Sequence, residues 1–472
     1  MIMGMSDSVS GKTKWSYFII VIIACSTLLM GPARTEAYDL SIEDERIAGE
    51  KFVQDVKKYF EVVDDDFLNT YINDLGQYLT SSLETKPFPF RFYIINNSTL
   101  NAFAGPGGHV FIFSGLVDIL DRLDELVGVI CHEIGHVSAR HIAQRIEKNK
   151  KIGLATMATV LAAVLIGGDV AAPMIAGSAA AGVQAQLHYS REDERQADQL
   201  GFKYMENAGF HPSGMVNVLK KLHQGHWPGT DVIPVYLRTH PAGPERIARM
   251  EIMMTEYAAV PEKKETAAFI KDFPIVKTII KGEYLDPYEA EKLFRMDLEK
   301  NTDPEMAHLG LGIVWARRSE YERAVGHLKT ALKFRPDSAP ILSHLGKTYQ
   351  LQGRDKKAVY VLEKALQINS RDKSTLNLLA ASYQNLEDYS KAIRVYEKLK
   401  TMKSVKDELF YNLGIAYGRM NRLDAAHYHF GLYFTKRHDK KKALFHFEKA
   451  AGFARYDPAL KKRIDKALKD LR

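Results

Sequence analysis

The sequence predicts a mainly α chain of the α+β type: a largely helical N-terminal region with a small sheet, followed by an α-solenoid. Three observations carry this. Apolar residues recur at helical spacing through residues 40–85 and again over 116–146. Two short runs, 90–95 and 110–113, read as strands on either side of a turn-rich connection. From Trp315 onward one pattern returns every 34 residues. The length of 472 residues calls for more than one domain. Composition is ordinary for a globular protein, with 46% hydrophobic and 26% charged residues. That excludes a largely disordered chain, a collagen and a multi-span membrane protein. A net charge of +7 is mild for this size, and no nucleic-acid partner is expected. Two cysteines, Cys25 and Cys131, exclude a disulfide framework and a cysteine-based metal site.

Taken in order, the first element is a targeting segment. Lys12 and Lys14 precede an apolar run at 15–30, short of the ~20 residues of a comfortable span. Small residues follow at Thr35 and Ala37. Residues 1–37 read as an export signal cleaved after Ala37. Two other readings stay open. Ile22-Ile23-Ala24-Cys25 resembles a bacterial lipobox, which would make Cys25 a lipid carrier, or the run is an uncleaved anchor. Leu28 and Met30 continue the apolar run past Cys25, which places cleavage first. All three readings put the rest of the chain outside the cytoplasm, and the periplasm is the expected location.

Ile47, Phe52, Val56 and Phe60, then Phe67, Tyr71, Leu75 and Leu79, supply two helical stripes. The strands at 90–95 and 110–113 enclose Asn97-Ser-Thr-Leu-Asn-Ala-Phe-Ala-Gly-Pro-Gly-Gly108. Between 152 and 187 the only charge is Asp169, and Gly167-Gly168 splits the stretch into halves too short to span a bilayer. A buried hairpin or a lid over a cleft is the first reading. Peripheral membrane contact is the second, and an integral membrane protease would be its extreme.

In the repeats, Trp315, Tyr349, Tyr383 and Tyr417 share the 34-residue interval with Ala324, Ala358, Ala392 and Ala426. Gly312, Gly346, Ala380 and Gly414 follow it too, as do Leu328, Leu362, Tyr396 and Phe430. This looks like the tetratricopeptide repeat, a helix-turn-helix unit of that length. Ala290 and Phe294 are in register one interval earlier, so a partial repeat starts near Leu285. Ala443, Phe447 and Ala450 mark a capping helix. The Lys-rich end reads as its solvated face. Such a solenoid binds something in its concave groove, and the pattern says no more than that.

The chemistry lies in His132-Glu133-Ile134-Gly135-His136. Positions i and i+4 of a helix share a face, so both imidazoles can bind one tetrahedral metal ion. Glu133 can then act as general base on water and return the proton to the leaving amine. A metzincin would place Gly at 139 and His at 142, where Ala139 and Ile142 stand. His141 reads as structural. The candidate third ligand is Glu194, with Asp198 one turn on as hydrogen-bond acceptor from a ligand histidine. Arg191, Glu192, Asp193 and Arg195 surround them, and from spacing alone a solvated charged helix face is the first reading.

With these residues quoted, the chain resembles the HtpX and CaaX-prenyl-endopeptidase family of zinc metallopeptidases. That family joins H-E-x-x-H to a later S-R-x-x-E-x-x-A-D, and both stand here, at 132–136 and 190–198. Residues 101–116, and Leu237-Arg-Thr-His-Pro241 followed by Glu245-Arg-Ile247, also match. The resemblance implies a gluzincin-type fold holding one zinc ion per chain through His132, His136 and Glu194. Asp198 and Arg246 would support the ligands. It also implies that the strand at 110–113 pairs with an extended substrate. His240 has two readings, stabiliser of the oxyanion or fourth ligand in a resting state, and the resemblance favours the second.

With an export signal and C-terminal repeats, the chain is similar to periplasmic members of that family that serve β-barrel assembly. The expected organisation is 1–37 signal peptide, 38–265 peptidase, 266–304 linker and partial repeat, and 305–472 repeats. The expected function is a zinc endopeptidase acting on misfolded or stalled envelope and outer-membrane proteins. By resemblance, its repeats engage clients or the β-barrel assembly machinery. The alternative is a chaperone or assembly factor with a latent protease.

Overall fold

The computed structural model describes residues 40–148, 189–224, 234–241, 243–258, 263–402, 405–454 and 457–471. The expected export signal with Cys25, and the small-residue stretch 152–187, lie outside them. Among the described residues no helix is long and apolar enough to cross a membrane.

Helices α1 (Ile42–Tyr59) and α2 (Asp66–Ser81) open the fold. Asp65 caps α2 by accepting the Leu68 N–H at 2.9 Å. Leu68, Ile72, Leu75 and Leu79, at helical spacing, form its buried stripe. The sheet follows as β1 (Arg91–Ile95), β2 (Ala102–Gly105) and β3 (His109–Phe113), in the order β1-β3-β2. β1 runs parallel to β3 and β2 antiparallel to it. Phe52 of α1 packs edge-on against Phe103 and Phe111, at centroid distances of 6.0 and 5.8 Å.

Two expectations change here. The turn-rich connection contains a strand, β2, and β3 lies in the centre of the sheet. A central strand has its backbone groups paired on both sides, so the strand at 110–113 cannot hold an extended peptide by main-chain bonds. The edge strand on that side of the sheet is β2. Its Ala-Phe-Ala-Gly sequence has weak strand propensity, so it gave no strand signal of its own. It is ordered by β3 through a tight return at Pro106–Gly108, where Gly107 and Gly108 take φ of 72° and 83°. The Phe113 N–H donates to the Asn101 carbonyl at 3.0 Å. Antiparallel alternation then directs Phe103 and Gly105 toward β3, and the N–H and C=O of Ala102 and Ala104 toward the edge of the sheet that no strand pairs, where both residues are buried.

The region expected as one helix over 116–146 is three: α3 (Ser114–Ile119), α4 (Leu123–Ser138) and α5 (His141–Lys148). Arg140, at φ 54°, turns the chain between α4 and α5. α6 (Arg191–Ala208) starts at a capping box between Ser190 and Asp193. It packs closely on α4 because Gly135 has no side chain: a Cβ there would sit 2.8 Å from the Ala197 carbonyl oxygen. α7 (Ser213–Gln224), α8 (Val235–Thr239) and α9 (Pro244–Thr255) complete this region.

Residues 266–304, expected as a linker and partial repeat, lie in α10 (Lys264–Tyr284), α11 (Pro287–Lys300) and the start of α12 (Pro304–Arg317). Ten helices from α12 to α21 (Pro458–Leu471) form the solenoid among the described residues. The repeated small positions let paired helices meet. At Gly346 a Cβ would lie 2.4 Å from the Leu362 side chain. α10 ties the two regions together. The Tyr71 hydroxyl donates to the Phe269 carbonyl at 2.8 Å, and Lys281 pairs with Asp118 at 3.0 Å. On its other side Glu283 pairs with Lys347 at 2.9 Å, and Arg317 donates to the Gly282 carbonyl at 2.6 Å.

Candidate metal centre

α4 is buried from Leu123 through Val137, so its histidines face protein on all sides. His132 and His136, one turn apart, bring their Nε2 atoms within 3.1 Å. Glu194, in the first turn of α6, sets Oε1 3.3 Å from His136 Nε2 and Oε2 3.5 Å from His132 Nε2. His240, just after α8, places Nδ1 3.3 Å from His132 Nε2 and 2.9 Å from Glu194 Oε1. One ligand atom from each of the four lies within 4.8 Å of every other.

Hydrogen bonds behind the ligands aim their lone pairs inward. Asp198 Oδ1 accepts from His132 Nδ1 at 3.0 Å, which frees Nε2 for the centre. His141 opens α5 and is not on the ligand helix. It gives its Nε2 proton to Gln196 Oε1 at 2.9 Å. Its Nδ1 then accepts from His136 Nδ1, also at 2.9 Å, and His136 Nε2 is left bare. Arg246 of α9 spans both acids of α6. It donates to Asp198 from Nε and Nη2 at 2.8 and 2.7 Å, and pairs with Glu194 through Nη1 at 2.6 Å. Its Nη1 also reaches the His240 carbonyl at 3.4 Å.

The electrostatics fit a divalent cation. Three carboxylates, Glu133, Glu194 and Asp198, share this buried volume with one guanidinium, Arg246. With neutral imidazoles the three carboxylates exceed the one guanidinium by two negative charges, and an excess of buried charge of that kind is costly. Burial raises the Glu194 carboxyl, but His240, Arg246 and the two ligand histidines outweigh it and hold the group well below its usual range. Burial presses His132 down, yet its bonds to Asp198 and Glu194 lift it to about 9. A proton held there is the one a cation displaces. Burial moves His136, whose partner behind is the neutral His141, well below the usual range.

Glu133 makes no hydrogen bond of good geometry through either oxygen among the described residues. His240 Nε2 lies 3.6 Å from Oε1, and the buried Ala104 N–H of β2 lies alongside. Burial pushes its carboxyl up, with His240 and His132 offsetting only part of that. A carboxylate so placed has capacity to take a proton.

The structure therefore gathers all seven sequence candidates: His132, Glu133, His136, Glu194, Asp198, His240 and Arg246. Sequence reasoning missed Gln196 and the link through His141. It also missed Tyr189 and Tyr236, whose rings stack on His240, and strand β2, whose Ala104 N–H lies beside Glu133. The signal for Tyr189 was its place directly before Ser190-Arg191.

The chain is similar to known proteins over both of its regions. A family model for peptidase family M48 matches residues 67–253, and tetratricopeptide repeat models match 339–372 and 375–408. The beta-barrel assembly-enhancing protease of Yersinia pestis is 27% identical over 69% of this chain and 67% of its own. That of Escherichia coli K12 is 32% identical over 44% of this chain and 43% of its own. The mitochondrial metalloendopeptidase OMA1 of Arabidopsis thaliana is 29% identical over 42% of this chain and 39% of its own. The matched regions thus span about two fifths to two thirds of these relatives. Helices α4 and α6 lie within residues 67–253, so the chain joins a region that matches peptidase family M48 to a region that matches tetratricopeptide repeats.

Proposed function

We propose that the chain is a zinc endopeptidase of the cell envelope, held latent by His240. The reading rests on one observation: four buried ligand atoms converge where three buried carboxylates face a single guanidinium. His132, His136 and Glu194 hold the ion, with Asp198, Arg246 and His141 fixing their orientation. Zinc bound there supplies a Lewis acid that polarises the scissile carbonyl and acidifies water. The peptide lies extended along β2, with Ala102 and Ala104 offering the main-chain groups. Glu133 takes a proton from the attacking water as the C–O bond forms. It gives that proton to the amide nitrogen as the C–N bond breaks.

In the closed centre His240 and Glu133 are both fully buried, so a substrate carbonyl has no place until the His240 segment withdraws. Misfolded or stalled outer-membrane proteins are the proposed clients, in keeping with the names of the relatives, and the periplasm is the proposed compartment. A cavity of about 830 Å³ between α10 and the repeats, lined in part by Phe67, Ile275, Ile279, Phe334 and Lys347, offers room for a client segment. The same closed centre favours a second reading, an assembly factor whose protease is normally silent. Metal analysis with casein digestion of the purified chain tests the proposal. One zinc per chain, and cleavage abolished by a chelator, are expected. A chain that binds no metal overturns it.

A further inference from the structure

His240 lies between two aromatic rings. Its centroid is 4.9 Å from that of Tyr189, at 28° between planes, and 4.7 Å from that of Tyr236, at 27°. Both tyrosines are buried. They belong to different parts of the centre. Tyr236 is in α8, and its carbonyl accepts the His240 N–H at 2.7 Å, so it travels with the His240 segment. Tyr189 is fixed to the ligand framework. It stacks on His136 at 3.7 Å, and the Arg145 guanidinium lies 3.8 Å from its ring centre. Arg145 in turn pairs at 2.9 Å with Asp193, the residue that closes the cap of the Glu194 helix. The Tyr189 hydroxyl is buried and has no hydrogen-bond partner among the described residues. Whatever Tyr189 does for the centre, it does with its ring.

We propose that Tyr189 is a positioning residue for His240: the fixed half of an aromatic clamp whose moving half, Tyr236, leaves with the histidine. The inference rests on His240 as the resting ligand. An imidazole ligand must present one nitrogen along one direction, and rotation of the ring misdirects it. Offset stacking on both faces restricts that rotation and adds contact energy only in the closed state. Loss of either stack shifts the balance toward the open state, by about tenfold for one aromatic pair. The clamp also explains how His240 can be held firmly while its Nε2 has no hydrogen bond.

The test uses the full chain and three readouts: basal casein cleavage, the rate of metal extraction by a chelator, and hydrogen exchange over residues 234–241 in the metal-free chain. Tyr189→Leu and Tyr236→Leu are each expected to raise all three about tenfold. Tyr189→Phe and Tyr236→Phe should match the parent, because the ring is kept. His240→Ala is the reference for full release. If His240→Ala does not raise basal cleavage, the resting-ligand reading itself fails. If it does, while both leucine variants stay at the parent level, the clamp alone is overturned. A Tyr189→Phe variant that behaves like Tyr189→Leu also overturns it, since the hydroxyl would then be the working group. Should Tyr189→Leu lose metal through His136, Tyr236→Leu decides, because among the described ligands its ring stacks on His240 alone.

Discussion

Arg246 and Asp198 meet through two parallel hydrogen bonds, at 2.8 and 2.7 Å, with both side chains buried. The pair joins α9, which follows the His240 segment, to α6, which carries Glu194. It fixes the Asp198 oxygen that orients His132. Replacing Arg246 by Met leaves Asp198 and Glu194 buried without their cation. That should destabilise the chain by about 3–5 kcal/mol, read from the urea midpoint. Arg246→Lys should recover little, since one ammonium cannot reproduce the two-point contact. A Met variant as stable as the parent would mean the carboxylates have another partner.

The legibility of this centre in the sequence followed the range of each contact. The spacing of His132 and His136 is local, because a helix places i and i+4 on one face. Glu194 and Asp198 stood among Arg191, Glu192, Asp193 and Arg195, and spacing alone reads such a run as a solvated face. Only the later fold separates them, burying Glu194 and Asp198 while Glu192 and Arg195 stay exposed. Tyr189 and Tyr236 look like any core aromatic until His240 is placed between them. β2 was hidden because alanine and glycine carry no strand signal and β3 supplies its order. The solenoid was legible for the opposite reason. One contact, such as Gly346 under Leu362, recurs with a fixed period and writes itself into the sequence several times.

Glu133→Gln should abolish proteolysis and leave the metal in place. The change keeps shape and removes only the proton acceptor, while His132, His136 and Glu194 are untouched. A loss of roughly 10²–10⁴ in turnover is expected, measured in the parent and in a His240→Ala background. Metal per chain should be unchanged. Full activity in this variant would remove Glu133 from the reaction.

Chelation should destabilise the folded chain, because the buried carboxylates then outnumber the cationic groups that face them. For an ion present at a thousand times its dissociation constant, the fall in melting temperature is on the order of 10 °C. Glu194→Ala should start at low metal content and show little further shift with chelator. A Glu194→Ala chain with full metal content would assign the third ligand elsewhere.

Two histidines remote from the centre set a pH dependence of stability. Burial lowers His109 to about 4, helped by Arg91 and Lys57. The Tyr93 hydroxyl also contacts its Nδ1 at 3.1 Å. Burial likewise lowers His344 to about 4, with Glu283 opposing and Lys347 assisting. Both are neutral in the folded chain and titrate near 6.5 when unfolded. Between pH 6.5 and 4 the unfolded state therefore binds more protons, so stability is complete above that window and falls as pH drops through it. Each contributes on the order of 3 kcal/mol to the fall. His109→Gln and His344→Gln should each flatten the loss of urea midpoint between pH 7 and pH 4. The comparison is between variant and parent, since other groups also protonate in this range. Curves that stay parallel would show that neither ring is buried neutral.

His240→Ala separates the two roles open to this residue, because they predict opposite signs. Zinc has four tetrahedral positions, and in the proposed ligation His132, His136 and Glu194 supply three. With His240 Nδ1 2.9 Å from Glu194 Oε1 and 3.3 Å from His132 Nε2, the histidine stands where a water or a carbonyl oxygen must enter. If that is its function, removing the imidazole clears the position. Basal cleavage should then rise, including cleavage of the chain itself, and a chelator should extract the metal faster. If His240 instead stabilises the oxyanion, the same change should lower turnover by roughly 10²–10³ and leave metal extraction unaltered. The geometry favours the first outcome. An oxyanion donor would point a proton at space reserved for substrate, whereas here the ring nitrogen sits among the ligand atoms and the ring is stacked on both faces. A His240→Ala chain that holds its metal as firmly as the parent and cleaves far more slowly would return His240 to the catalytic residues.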